Sequence, residues 1–224
     1  RNLHSSGELL DMKKKYANID GSVAMYDNYV FYADRYGILQ CVDINTMSSV
    51  WAIDTGDKTD ATPALDMEES GLLALYTGNT YYRRYKSSVC NLRKVDGLTG
   101  EVLWTYDVPD LTYNADYDVG LVASPVVGQE SISDMVIFTA TNGKHGCSVL
   151  ALNKKDGSLI WRKDFEGQGH SSPVAVYNEA GDTWLIQAEE SGKIHLMNAE
   201  SGKIVNSLQL TASEEGAKLE KFTL

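Results

Sequence analysis

Two stretches of this sequence concentrate side chains able to do chemistry. The first, TGNTYYRRYKSS at residues 77–88, sets Tyr81, Tyr82 and Tyr85 around Arg83 and Arg84. Tyrosine offers a flat face with a hydroxyl tip, and arginine a planar fork of donors. Together they could hold a carboxylate, a glycan or the edge of an acidic peptide. The plainer alternative is a solvated loop stacked on its neighbour. The second stretch, YDVPDLTYNADYDVGL at residues 106–121, carries Tyr113 and the alternating carboxylates Asp116 and Asp118. Such carboxylates are the raw material of a calcium loop, but the EF-hand spacing and its distal glutamate are missing, so Asp116 and Asp118 are weak metal candidates. His145, His170 and Glu189 complete the set. The two histidines could act as a base or a metal pair, although lone loop histidines are more often simply exposed. No residue carries a catalytic assignment.

The three cysteines, Cys41, Cys90 and Cys147, form no CxxC pair, which argues against a zinc ribbon or a thioredoxin motif. Cys90 and Cys147 each stand 14 residues before a tryptophan. That places them at equivalent points of neighbouring units, which splay apart away from a common axis, so two separate thiols are expected. The chain of 224 residues has a formal charge of −11 and a pI near 4.8. A nucleic-acid backbone needs a basic face, so that partner class is excluded. No apolar run approaches the roughly 18–20 residues that span a bilayer. Arg1–Gly7 is polar and is followed by Met12-Lys13-Lys14-Lys15, so no signal peptide is visible and the start reads as that of a mature, trimmed or partial chain.

The elements that position these residues come from a repeat. Trp51, Trp104, Trp161 and Asn206 stand 53, 57 and 45 residues apart. Eight residues before each lies Asp43, Asp96, Asn153 or Asn198, able to start a turn through its side chain. Four residues before lies Gly100, Gly157 or Gly202, able to take positive φ and form a bulge; Met47 fills that slot in the first copy. Thr62-Pro63, Ser124-Pro125 and Ser172-Pro173 each open an apolar strand, where proline's missing amide donor does no harm. Each unit resolves into four short strands, in the last copy roughly 174–177, 184–188, 193–197 and 204–210. Four strands per 45–57 residues is the pattern of a β-propeller blade.

The stretch Val95-Asp96-Gly97-Leu98-Thr99-Gly100-Glu101-Val102-Leu103-Trp104 resembles the quinoprotein-type, or PQQ-like, β-propeller repeat, and the resemblance runs over about residues 6–211. It implies an all-β propeller of four-stranded antiparallel blades, with Trp51, Trp104 and Trp161 packed between neighbours. The expected boundaries are the end of a preceding blade at 1–15, blades at 16–54, 55–107, 108–165 (with an insertion at 107–120) and 166–211, and the start of another blade or a tail at 212–224. Propellers of this family close with seven or eight blades, so longer sequence or another chain is expected to supply the rest.

Loops after the second and fourth strands share one face, and that face carries both long insertions, so binding is expected there. The family contains enzymes and scaffolds alike. The favoured reading is a non-enzymatic, extracytoplasmic scaffold that binds a protein, a peptide, a small ligand or a glycan, as in the lipoprotein scaffold of outer-membrane protein assembly. No cofactor is expected under it. The alternatives are a quinoprotein alcohol or sugar dehydrogenase, with pyrroloquinoline quinone and calcium on the axis, and a carbohydrate-binding surface protein. The adjacent cysteine pair common in methanol dehydrogenase-type members is absent.

Overall fold

The computed structural model describes residues 18–82 and 89–211. Seventeen strands and one 3-10 turn, Glu130–Ile132, form four antiparallel sheets, each a simple meander. The first holds β1 (Ala24–Tyr26), β2 (Tyr29–Ala33), β3 (Ile38–Asp43) and β4 (Ser48–Asp54). The second holds β5 (Ala64–Met67), β6 (Leu73–Gly78), β7 (Asn91–Asp96) and β8 (Val102–Asp107). The third holds β10 (Val126–Val127), β11 (Met135–Asn142), β12 (Cys147–Asn153) and β13 (Leu159–Phe165), with β9 (Val119–Leu121) also paired to β11. The fourth holds β14 (Val174–Tyr177), β15 (Thr183–Ala188), β16 (Lys193–Asn198) and β17 (Ile204–Gln209). Pro63, Pro125 and Pro173 each immediately precede a first strand. Their Ser/Thr neighbours tie the blades together at that point. Thr62 Oγ1 accepts the Ser22 amide at 3.0 Å and Ser172 Oγ accepts the Ser124 amide at 3.0 Å.

The apolar core lies between the blades rather than within one sheet. Phe31, Trp51, Leu75 and Val95 fill the first junction. Tyr76, Leu92, Trp104, Phe138 and Leu150 fill the second, and Ile137, Val149, Phe165, Leu185 and Met197 fill the third. At each junction a tryptophan reaches the β3–β4-type turn of the next blade. Its indole N–H donates to a turn carbonyl: Trp51 to Gly97 at 2.8 Å, Trp104 to Lys154 at 3.0 Å and Trp161 to Ala199 at 3.0 Å. The ring lies on Gly100, Gly157 or Gly202, whose φ values are +78°, +73° and +67°. The Asp or Asn that starts each turn accepts backbone amides through its side chain, as at Asp96 and Asn153.

The turn glycine and the bulge turn out to be different residues. Trp51 pairs with Cys41 while Ser49 pairs with Val42, so Val50 is the extra residue. Leu103, Ile160 and Val205 are skipped in the same way. The bulge therefore sits one residue before the tryptophan slot, where the added twist re-aims the side chain toward the next blade.

Met47 holds φ +51° with its side chain 64% exposed. An L-residue in this region carries about 1–2 kcal/mol of strain, against a glycine's entropic cost of about 0.5–1 kcal/mol. Met47→Gly should therefore stabilise the chain by up to about 1 kcal/mol. A urea midpoint that falls instead would show that the methionine makes a contact worth keeping.

Candidate functional site

Gly78 ends β6 and the chain runs on through Thr80 into the first insertion, while β8 leads into the second. The two insertions are joined by backbone. Thr80 and Gly120 form an isolated antiparallel bridge, the Tyr81 amide donates to the Val119 carbonyl at 2.6 Å, and the Leu121 amide donates to the Asn79 carbonyl at 3.2 Å. The sequence reading took residues 107–120 as a loop. Part of it is β9, which lengthens the inner edge of the third blade by pairing Val119, Gly120 and Leu121 with Asn142, Thr141 and Ala140. Asn142 also ties the rest of the insertion down. Its side chain accepts the Thr112 amide at 3.0 Å and donates to the Asp110 carbonyl at 3.3 Å.

Between the insertions lies a cleft of about 140 Å³ lined by Tyr81, Tyr82, Asn114, Asp116, Tyr117 and Asp118. Tyr81 meets Tyr113 edge to face at 6.2 Å. The Tyr82 amide is anchored by the buried Asp57 carboxylate at 3.0 Å, while its ring is 60% exposed; Tyr113 and Tyr117 are 36% and 44% exposed. Lys58 approaches the Tyr82 ring at 5.8 Å and pairs with Asp60 at 2.7 Å. Burial raises the Asp60 carboxyl above its ordinary range, and the negative charges of Asp118 and Asp20 add to that. The result is an aromatic, acid-rimmed platform held by main-chain hydrogen bonds.

Of the remaining expected residues, His145, His170 and Glu189 do not line this cleft. Arg83, Arg84 and Tyr85 lie outside the described residues. His145 sits exposed at the tip of the 141–146 turn and His170 is exposed in the 166–171 link, and no hydrogen bond or ring contact joins them among the described residues. Glu189 is buried beneath the face, where its Oε1 meets His195 Nε2. His195 Nδ1 lies 2.8 Å from Ser207 Oγ, and Phe165 packs on the imidazole with ring centres 4.6 Å apart. Sequence reasoning passed over His195, Ser207 and Arg93. The usable signal was a polar residue in mid third strand, 11 residues before the tryptophan slot, at Gln40, Arg93 and His195. Arg93 is buried and donates to the Thr55 carbonyl at 2.9 Å and to Asn79 Oδ1 at 2.8 Å. Burial lowers it to about 10, so it stays charged at neutral pH.

Cys41, Cys90 and Cys147 are separate buried thiols, and burial pushes each up to about 12. Protonated thiols of this kind are poor nucleophiles and poor metal ligands. Among the described residues no three His, Cys, Asp or Glu side chains converge as a metal site. A larger cleft, about 870 Å³, lies on the opposite face between the second and third blades. Its floor is structural: Lys94 pairs with Glu68 at 2.5 Å, and Lys154 pairs with Asp66 at 2.7 Å, bridging the two blades.

Four meander blades, indole-on-glycine junctions and loop insertions gathered on one face define a PQQ-like β-propeller. The chain belongs to the family described as outer membrane protein assembly factor BamB, whose model matches residues 6–145 and 145–219. It is 24% identical over 186 residues to the outer membrane protein assembly factor BamB of Yersinia pestis, covering 79% of this chain and 40% of that one. It is 31% identical over 118 residues to a quinoprotein ethanol dehydrogenase of Pseudomonas aeruginosa, covering 52% and 16%. The crystal structure of BamB from Moraxella catarrhalis superimposes with a TM-score of 0.61 at 15% identity, covering 90% of this chain and 52% of that one. This chain thus spans less than half the length of the curated relatives it matches. No helix among the described residues is long and apolar enough to cross a membrane.

Proposed function

We propose that this chain is an extracytoplasmic interaction scaffold that engages a protein partner through the tyrosine platform. The observation that carries the reading is the backbone bridge between Thr80 and Gly120. Residues 79–81 of the first insertion are joined by main-chain bonds to residues 119–121 of the second, and the described residues there expose three tyrosines beside two carboxylates. Tyrosine supplies large contact area at low entropic cost, which is why it is enriched in protein-binding patches. The family's named role in outer membrane protein assembly supports a protein partner over a small molecule.

The quinone reading fits the described residues less well. Pyrroloquinoline quinone carries several carboxylates and needs convergent cations. Among the cations described near this face, Arg35 pairs with Asp20, Lys58 with Asp60, and Arg93 is committed to buried oxygens of Thr55 and Asn79. Asp116 and Asp118 lack a third ligand side chain of the kind a calcium site needs among the described residues.

A photo-crosslinking amino acid at Tyr82 or Tyr117 of the full-length protein, in its own cells, tests the proposal. Crosslinks to an outer-membrane assembly component from these positions, and not from Asn45 on the opposite face, are expected. Equal crosslinking from both faces would remove the platform as the binding surface. A rise in melting temperature on adding the quinone with calcium would favour the dehydrogenase reading instead.

A further inference from the structure

Comparison of equivalent positions in the four blades isolates one chemical constellation found in a single copy. The residue that ends the second strand of each blade or directly follows it donates its amide across the β2–β3-type loop: Asp34 to Ile38, Asn79 to Asn91, Asn142 to Gly146 and Glu189 to Lys193. The cross-strand pairs below it are Gln40 with Ala52, Arg93 with Thr105, Leu150 with Arg162, and His195 with Ser207. Only the fourth blade places a carboxylate, an imidazole and a hydroxyl at these three points. They are hydrogen-bonded in series, Ser207 Oγ to His195 Nδ1 at 2.8 Å and His195 Nε2 to Glu189 Oε1. The imidazole and carboxylate side chains are only 3% and 7% exposed, so water competes little for either. Ser207, by contrast, is an exposed residue of β17, the edge strand of its sheet.

We propose that Ser207 is an activated acyl acceptor, with His195 as its base and Glu189 as the positioning residue that orients the ring. A serine hydroxyl becomes nucleophilic when an adjacent imidazole can take its proton and a third group fixes that imidazole. The chemistry requires one ring nitrogen to accept and the other to donate, and the tautomer that meets this has Nδ1 accepting from the hydroxyl and Nε2–H donating to the carboxylate. The substrate class is an activated carboxylic ester. Ser207 Oγ forms a bond to the acyl carbon, the carbon–oxygen bond to the leaving alcohol breaks, and the serine proton passes through His195 Nδ1 to that leaving oxygen. The Ser207 amide donates to the Asn206 side-chain oxygen at 2.8 Å.

The test is covalent labelling of the full chain with a fluorophosphonate, in which Ser207 Oγ bonds to phosphorus as fluoride leaves, read residue by residue by mass spectrometry. Ser201 is the internal control, exposed and bonded only to Asn198 Oδ1 at 2.6 Å. General-base assistance contributes roughly 100-fold or more, so Ser207 should be labelled at least about 100-fold faster than Ser201. His195→Gln should remove that advantage. Should that variant fail to fold, Glu189→Gln and Glu189→Asp decide: labelling of Ser207 should slow in the first and recover at least in part in the second, with the Ser201 rate unchanged in both. Labelling of Ser207 no faster than Ser201, or equally fast in a folded Glu189→Gln protein, would overturn the proposal.

Discussion

Trp104→Ala should destabilise the chain by about 3–5 kcal/mol, the range for truncating a large buried aromatic. Trp104 is buried in the cluster that joins the second and third blades, 6.0 Å from the Tyr76 ring, with its indole N–H satisfied by Lys154. Truncation opens a cavity between two sheets and removes one of the two donors of the Lys154 carbonyl, which keeps Lys94 Nζ at 2.9 Å. Trp161→Ala should cost less, because that ring is half-buried and lies at the margin of its cluster. The glycine beneath the ring sharpens the test. A Cβ on Gly157 would stand 2.7 Å from the Trp104 ring, at φ +73°. Gly157→Ala therefore carries about 1–2 kcal/mol of backbone strain and about 1–3 kcal/mol of overpacking. In the Trp104→Ala background only the backbone part should remain, so the two substitutions should be less than additive by 1 kcal/mol or more. Urea unfolding of the four proteins measures this. Full additivity would mean that the ring and the glycine do not act on each other.

The repeat was legible because each of its residues has a local job that survives translation into geometry. An Asx turn, a positive-φ glycine and a large ring at fixed offsets leave few ways to fold, and the four-stranded blades follow from them. That the two insertions share one face was legible for a topological reason, since alternate loops of a meander must emerge together. What stayed hidden were relationships between loops. That Thr80 would pair with Gly120 depends on how the second and third blades sit side by side, and no offset within one repeat encodes it. Glu189 illustrates the other limit. As part of a polar turn it read as a surface group, but the partner that buries it, His195, lies on the neighbouring strand among apolar residues. Subtracting one blade from another finds such sites. Residues shared by the copies build junctions, and residues that break the pattern, such as Met47, Arg93 and His195, mark where the constraint was lifted or replaced.

Gly120→Val should dismantle the tyrosine platform while leaving the blades standing. Gly120 holds φ +99°, and a Cβ there would meet three backbone atoms at once: Thr80 Cα at 2.8 Å, Asn79 O at 2.9 Å and Tyr81 N at 2.9 Å. Side chains can turn away from an intruding methyl, but these atoms belong to the strand end that β9 is paired to, and they can retreat only by breaking the pairing. Two hydrogen bonds go with it, from Tyr81 to Val119 and from Leu121 to Asn79. The tryptophan junctions lie at the opposite ends of the blades and are untouched. Hydrogen exchange should report the separation directly, with the Tyr81 and Leu121 amides exchanging at least about tenfold faster, a change of roughly 1.4 kcal/mol in local opening. Gly56→Ala is the matched control, because its φ is +91° but nothing lies within 4 Å of the added carbon. It carries the backbone strain without the collision, and the two amides should stay protected. Crosslinking from Tyr82 to the partner should fall in Gly120→Val and persist in Gly56→Ala. Unchanged protection of Tyr81 and Leu121 in Gly120→Val would show that the insertions are held together by something other than this bridge.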